Sequence, residues 1–182
     1  MSERHGDLFA RTRLDAQLDL LHENPNATNA ELDAAAQNRI HRLQERIGNR
    51  SEKRFDSFAE HSRIITGFRR GSIHDDILGL DRWITVSAEF NLPYELPLQV
   101  KSSPERVRMF KFGDPNDPAP KNRKPNQGYL KRHEVEVVMD CGFSLNKEYF
   151  NSQLVSELKR IQSILQTHPE YTTSLRKIQA KR

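Results

Sequence analysis

Three polar side chains that lie close together in this sequence could bind a divalent metal beside a phosphate. Asp81 lies in the segment 79–83, at the start of a stretch that is typical of a β-strand, and Gln99 and Lys101 lie on another such stretch. Because strand side chains alternate between faces, Gln99 and Lys101 project to one side and Val100 to the other. A carboxylate and an amide oxygen are ligands for a hard cation, and an amine offsets phosphate charge. The set predicts metal-dependent hydrolysis of a phosphodiester.

The hydrophobic pattern predicts extended segments around these side chains. Residues 82–90 alternate, with apolar side chains on one face and Asp81 sharing the other, more polar face. Residues 96–101 alternate in the same way, with their apolar side chains opposite Gln99 and Lys101. Two further strands are predicted, at 63–69 and 133–141.

Helical periodicity surrounds these strands. Thr28, followed three residues later by Glu31, is the capping-box signature of a helix start. The leucines at 14, 18 and 21 share one helical face and are expected to pack in a core. The predicted helices are 8–23, 29–47, 50–62, 104–111 and 145–167. Without the terminal helices the order is helix, three strands, helix, strand, which predicts an α+β, or three-layer α/β, domain.

Composition limits the class of protein. Of the 182 residues, 35% are hydrophobic and 30% charged, and the mean hydropathy is −0.81. The sequence has no run of ~20 apolar residues that could span a membrane and no apolar signal peptide at its N-terminus. Its single cysteine, Cys141, cannot form an internal disulfide. We therefore expect a cytoplasmic protein with one ordinary domain and helical additions.

Positive charge is concentrated in one segment. The whole chain has a net charge of +4, whereas residues 104–132 carry eight basic and three acidic side chains, a net +5. We expect this segment to contact phosphate backbone without regard to sequence; a solvated loop is the alternative. Two arginines at the end of the first strand would line a cleft. The residues expected to bind nucleic acid are Arg69, Arg70, Lys111, Lys121, Arg123, Lys124, Lys131 and Arg132.

The order of elements, with Asp81 on the second strand and Gln99-Val100-Lys101 on the third, resembles the PD-(D/E)XK nuclease superfamily, whose core is restriction-endonuclease-like. The resemblance covers residues 49–141. It implies an αβββαβ core with a mixed four-stranded sheet, and a nuclease that depends on Mg²⁺ or Mn²⁺.

The resemblance also assigns roles to residues of this chain. Asp81 matches the family's first acid and would be the central metal ligand, with Gln99 and the backbone carbonyl of Val100 completing the shell. Lys101 matches the family's lysine and would position the attacking water and offset charge; a role as general base is ranked below this one. The family often adds a glutamate from the first core helix, which Glu52 matches best by position, with Glu60 as the alternative.

The chain departs from the family pattern at one position, since the acid of the third strand is Gln99. An amide oxygen still ligates a hard cation, but one negative charge is lost. Metal affinity should then depend more on Asp81, on Glu52 and on the substrate phosphate.

Other readings of these residues stay open. Asp81 would simply cap a turn before a strand, and Gln99 and Lys101 would lie on the solvated face of an edge strand. Asp75 and Asp76 are spare acids if the second strand begins earlier.

The predicted organisation is a helical extension at 1–48, the nuclease-like core at 49–142, and C-terminal helices at 143–182 that pack on the core. We expect a nuclease with DNA as substrate and no membrane partner, and an exposed apolar remainder would support a homodimer. The alternatives are a catalytically inactive nucleic-acid-binding module on the same fold and a helical protein-interaction protein.

Overall fold

A computed structural model of the chain describes residues 3–72, 80–92, 95–112, 135–172 and 175. The chain divides into two compact units, residues 1–50 and 51–182. Five of the basic residues expected to bind nucleic acid, and the spare acids Asp75 and Asp76, lie outside the described residues. Those five are Lys121, Arg123, Lys124, Lys131 and Arg132.

Two helices and the turn between them make up the described part of the first unit. Helix α1 spans Glu3–Glu23, and helix α2 spans Asn29–Glu60 and continues into the second unit. The predicted capping box is confirmed, because Thr28 N donates to Glu31 Oε2 at 2.7 Å and Glu31 N donates to Thr28 Oγ1 at 3.4 Å. These two bonds satisfy backbone donors that have no partner within the first turn.

Two expectations for these helices are wrong. The sequence predicts separate helices at 29–47 and 50–62, but α2 runs through Gly48 as one helix of 32 residues. A glycine costs a helix about 1 kcal/mol without removing a backbone hydrogen bond, and beyond it Phe55 and Ala59 are buried. The leucine stripe of α1 is not in a core, since Leu14 and Leu18 are 56% and 54% exposed.

The second unit contains a four-stranded mixed sheet. The strands are β1 (Ile65–Arg70), β2 (Arg82–Val86), β3 (Leu96–Lys101) and β4 (Val137–Asp140), in the spatial order β1-β2-β3-β4. The first two pairings are antiparallel, and β3 pairs with β4 in parallel. Helix α3 (Pro104–Phe112) lies between β3 and β4 in sequence, and helix α4 (Lys147–Thr167) follows β4. The predicted α+β class and the order helix, three strands, helix, strand are confirmed.

Strand β2 is shorter than predicted. It ends at Val86, and a 3₁₀ turn spans Ala88–Phe90. Asn91 follows with a φ of +47°, a left-handed conformation that ends the 3₁₀ turn. The alternation of apolar residues continued past Val86, but Ala88 is exposed, so the last part of the pattern does not reflect burial in the sheet.

One apolar core lies against the sheet. The inward apolar side chains of β2, β3 and β4 are buried there with four residues of α4, namely Phe150, Leu154, Leu158 and Ile161. Phe55 of α2 contacts Phe150 of α4, with 5.8 Å between ring centroids. The C-terminal helix therefore packs on the sheet as expected, and the opposite face of the sheet is where polar side chains collect.

None of the helices in the described ranges combines the length and the apolar character that crossing a bilayer requires.

Candidate functional site

The register of the sheet brings the predicted site residues to one face. Arg82 pairs with Leu98 across the antiparallel β2–β3 ladder, so Asp81, one residue earlier, lies opposite Gln99. The bond from Asp81 N to the Leu98 carbonyl oxygen, 3.1 Å, extends that ladder to Asp81. Since directly opposed residues share a face, Asp81, Gln99 and Lys101 lie on the same side at one end of the sheet.

The Asp81 carboxylate is held against the backbone of β3. Val100 N donates to Asp81 Oδ2 at 2.6 Å, whereas Asp81 Oδ1 accepts no hydrogen bond from the residues that the structure describes. Burial raises the pKa of Asp81 to about 6, and the nearby Glu52 charge raises it further, while the Val100 bond and the Lys101 charge oppose the rise. A cation bound nearby would lower this pKa and favour the carboxylate form.

Gln99 and Lys101 form a pair beside this acid. Lys101 Nζ donates to Gln99 Oε1 and lies 4.3 Å from the centre of the Phe110 ring, which is part of α3. Burial lowers the pKa of Lys101, and the charges of Asp81 and Glu136 oppose that change. Gln99 is only 3% exposed, and within the described ranges its Nε2 finds no hydrogen-bond partner.

The structure therefore brings three of the predicted residues together. Lys101 contacts Gln99 directly and acts on Asp81 through its charge. Val100 contributes its N–H to Asp81, while the metal-binding role assigned to its carbonyl stays a prediction.

Glu52 lies close to the site but is already paired. Its Oε2 accepts from Arg82 Nη1 at 3.1 Å, and its charge raises the pKa of Asp81, so the two carboxylates are neighbours. Arg82 is 2% exposed, binds Asp56 through two further bonds of 2.8 and 2.9 Å, and donates to the Asp81 carbonyl. Glu60, the alternative, is exposed in the last turn of α2.

Arg82 and Asp56 were not among the predicted site residues. A signal for Arg82 was present, because it occupies an apolar-face position of β2, two residues before Ile84. A buried arginine there requires acidic partners, and the adjoining helix has them at Glu52 and Asp56.

Two acids of the last strand region were also overlooked. Val138 and Asp140 pair with Gln99 and Lys101 across the parallel β3–β4 ladder, which places Asp140 on the face of the site. Asp140 is buried and accepts from Gly142 N and Tyr149 Oη, and burial raises its pKa. Glu136 is also buried, and its charge favours the protonated Lys101. Two-residue alternation would have placed both on the polar face of their own segment, whereas the position of Asp140 opposite Lys101 depends on the β3–β4 register.

The three described basic residues that were expected to bind nucleic acid differ in whether they are already paired with an acid. Arg69 binds Glu95 through bonds of 3.0 and 2.6 Å and lies over the Trp83 ring. Lys111 donates to Glu157 of α4. Arg70 is exposed at the end of β1. Arg69 and Lys111 already pair with carboxylates, although the Arg69 side chain remains 40% exposed.

The donor atoms of the site fit a hard divalent cation. Asp81 Oδ1 would be one ligand, and Gln99 Oε1 has a second lone pair beyond the one directed at Lys101. Mg²⁺ characteristically keeps several waters and takes one or two protein oxygens together with substrate phosphate. No cluster of three or more His, Cys, Asp and Glu side chains in the described ranges is arranged to hold a metal.

Comparison of this chain with protein-family models, with curated proteins and with solved structures found no match in any of the three.

Proposed function

We propose that this protein is a metal-dependent nuclease that hydrolyses phosphodiester bonds, with DNA as its substrate. The observation that carries the proposal is the position of Asp81. Its carboxylate binds the N–H of Val100, between Gln99 and Lys101, so that acid, amide and amine meet at one end of the sheet.

The fold also supports the proposal. The described strands form a mixed four-stranded sheet, with a helix between β3 and β4 in sequence, and a mixed four-stranded sheet in an αβββαβ core is what the resemblance implied. We extend the proposal to a restriction-endonuclease-like core on that basis.

The chemistry divides between the cation and the protein. Mg²⁺ or Mn²⁺, when bound, supplies an activated water and neutralises phosphate charge. Asp81 would hold the cation as a carboxylate, and Gln99 would add a neutral oxygen. Lys101, held by Gln99 and by the Phe110 ring, would place its ammonium beside the scissile phosphate, where it stabilises the charge that develops in the transition state.

A second candidate is a nucleic-acid-binding module that does not cleave. It is favoured by the partners that two of the expected ligands already have: Gln99 Oε1 accepts from Lys101, and Glu52 Oε2 accepts from Arg82. With one charge fewer on β3, the site would then bind phosphate through Lys101 without retaining a cation.

Nicking of a supercoiled plasmid in Mg²⁺ or Mn²⁺ tests the proposal. We expect cleavage by the wild-type chain that EDTA abolishes, and a loss of at least about 100-fold in both Asp81→Asn and Lys101→Met, because each removes a charge needed in the transition state. The matched controls are Asp33→Asn and Arg13→Met, which disrupt an exposed ion pair of the first unit and should leave cleavage unchanged.

The outcomes separate the two candidates. Salt-sensitive binding of nucleic acid without cleavage would favour the inactive module. Cleavage that persists in Asp81→Asn would contradict the assigned site.

A further inference from the structure

Phe143 is the most conspicuous exposed side chain of the described residues. It is 93% exposed, whereas the next most exposed large apolar side chain among them, Leu14, is 56% exposed. Isolated apolar residues on a surface are ordinary. The exposure of Phe143 therefore points to a ligand only together with the position and the neighbours of its ring.

The position of Phe143 links it to the site. It follows β4, whose end is joined to β3 by the bond from Cys141 N to the Lys101 carbonyl, 2.7 Å. Gly142 lies so close to the next residue of the chain after β3 that an added Cβ would be 2.5 Å from the Ser102 carbonyl oxygen. Phe143 is therefore held beside the end of β3 that carries Lys101.

The turn that carries Phe143 is well fixed. Gly142 N donates to Asp140 Oδ1 at 2.8 Å, and Leu145 N donates to the Gly142 carbonyl at 3.2 Å. A rigid turn presents an aromatic ring to a ligand with little loss of conformational entropy on binding.

A positively charged side chain, that of Arg54, lies beside the Phe143 ring. The guanidinium carbon of Arg54 lies 5.1 Å from the centre of the Phe143 ring, and Arg54 Nη1 also donates to the Cys141 carbonyl at 3.5 Å. An exposed aromatic ring beside an arginine is the combination that binds unpaired nucleotides, because the base stacks on the ring and the phosphate meets the cation.

We propose that Phe143 and Arg54 form a stacking site for an unpaired base next to the catalytic residues, so that the substrate is single-stranded or locally unpaired nucleic acid. The inference rests on the proposed function for its substrate class. In a fully paired duplex no base face is available to stack on Phe143, so the ring should not contribute to duplex affinity.

Fluorescence anisotropy in EDTA tests this inference with two probes, a labelled oligothymidylate and a fully paired duplex of equal length. We expect Phe143→Ala and Phe143→Leu to weaken oligothymidylate binding about 5- to 100-fold, the range of base–aromatic stacking. Duplex binding should change less than about twofold. Phe143→Trp should bind as the wild type does, because it keeps a stacking surface, and Leu14→Ala controls for loss of an exposed apolar side chain.

Phe143→Trp also provides a direct readout. Trp83, the natural tryptophan, is 1% exposed, so oligothymidylate should quench the new, exposed tryptophan preferentially. Unchanged fluorescence, or equal affinity of all the Phe143 variants for oligothymidylate, would overturn the inference.

The two proposals fail in different ways. Stacking by a wild-type chain that does not nick plasmid would support the inference and contradict hydrolysis. If the wild type nicks plasmid in a metal-dependent way but changes at residue 143 leave oligothymidylate affinity unchanged, the inference alone is overturned. The same holds if the wild type binds neither probe.

Discussion

At the scale of single residues, the protonation of Asp81 links function to stability. Its pKa is raised from 3.8 to about 6 mainly by burial, which disfavours the charged form. Between these two values the folded chain binds a proton that the unfolded chain releases. The free energy of unfolding therefore decreases as pH rises through this window, and the full penalty is present above about pH 6.

Asp81→Asn should consequently stabilise the protein at neutral pH. We expect a gain on the order of 1–2 kcal/mol at about pH 7.5, because the amide has no charge to bury and its oxygen can still accept from Val100 N. The gain should vanish below about pH 4, where the aspartate is protonated in both states. Denaturant unfolding at the two pH values measures it, with Asp33→Asn as the exposed control; lower stability of Asp81→Asn at neutral pH would refute the burial argument.

Gln99→Glu should strengthen metal binding. It adds a carboxylate beside Asp81 and removes an amide nitrogen that has no partner among the described residues. Since ligand charge tunes the affinity of such sites, we expect the Mn²⁺ dissociation constant to fall about tenfold, as measured by calorimetry. Gln99→Met, which removes the oxygen, should weaken binding, and equal affinities in the three proteins would show that residue 99 is not a ligand.

At the scale of elements, Arg82 joins β2 to α2. Its guanidinium binds Asp56 and Glu52 of the helix while remaining buried. This connection keeps Glu52 next to Asp81. The Arg82 guanidinium therefore affects both the packing of α2 on β2 and the charge around Asp81.

Arg82→Met should destabilise the protein by about 2–4 kcal/mol, because it leaves two half-buried carboxylates without their cation. The triple variant Arg82→Met/Asp56→Asn/Glu52→Gln should recover part of the loss, since it removes those charges as well. Thermal or denaturant unfolding provides the measurement. Arg13→Met, which breaks an ion pair of exposed side chains, should lower the free energy of unfolding by less than about 1 kcal/mol. An equal loss in Arg82→Met would contradict a stabilising role for the bonds of Arg82 to Asp56 and Glu52.

At the scale of the whole molecule, the distribution of charge predicts how the protein meets a polyanion. The excess of basic residues lies in segment 104–132, whose net charge of +5 exceeds that of the whole chain, +4. In the described part of this segment Lys111 pairs with Glu157, whereas Arg106 and Arg108 are exposed; the other five basic residues of the segment follow.

Replacing the five basic residues from 121 to 132 by glutamine should weaken duplex binding and flatten its dependence on salt. Each lost phosphate contact reduces the slope of log Kobs against log salt by about 0.9 for duplex DNA. Anisotropy at several salt concentrations measures the slope. An unchanged slope would favour the solvated loop. The five are Lys121, Arg123, Lys124, Lys131 and Arg132.

Association with a second copy stays a prediction at this scale. The leucines of α1 that were expected in a core are exposed, which leaves an apolar stripe of the kind that the homodimer expectation requires. The cytoplasmic location is likewise an expectation from composition alone.

Local patterns in the sequence determined most of the secondary structure. Alternation located the strands, the Thr28–Glu31 box located the start of α2, and the positions of Gln99 and Lys101 on one face followed from strand geometry. These features depend on neighbours in the chain, which is why one sequence sufficed to predict them.

The tertiary structure decided what depends on distant contacts. Helix α2 passes Gly48, Arg82 binds α2, and Asp140 shares the face of Lys101 because of packing and register between segments far apart in the chain. The raised pKa of Asp81 and the partner of Glu52 follow from the same contacts. The sequence shows which side chains are present and which face of a strand they occupy. Their burial and their ion-pair partners are determined only when the sheet and its helices pack together.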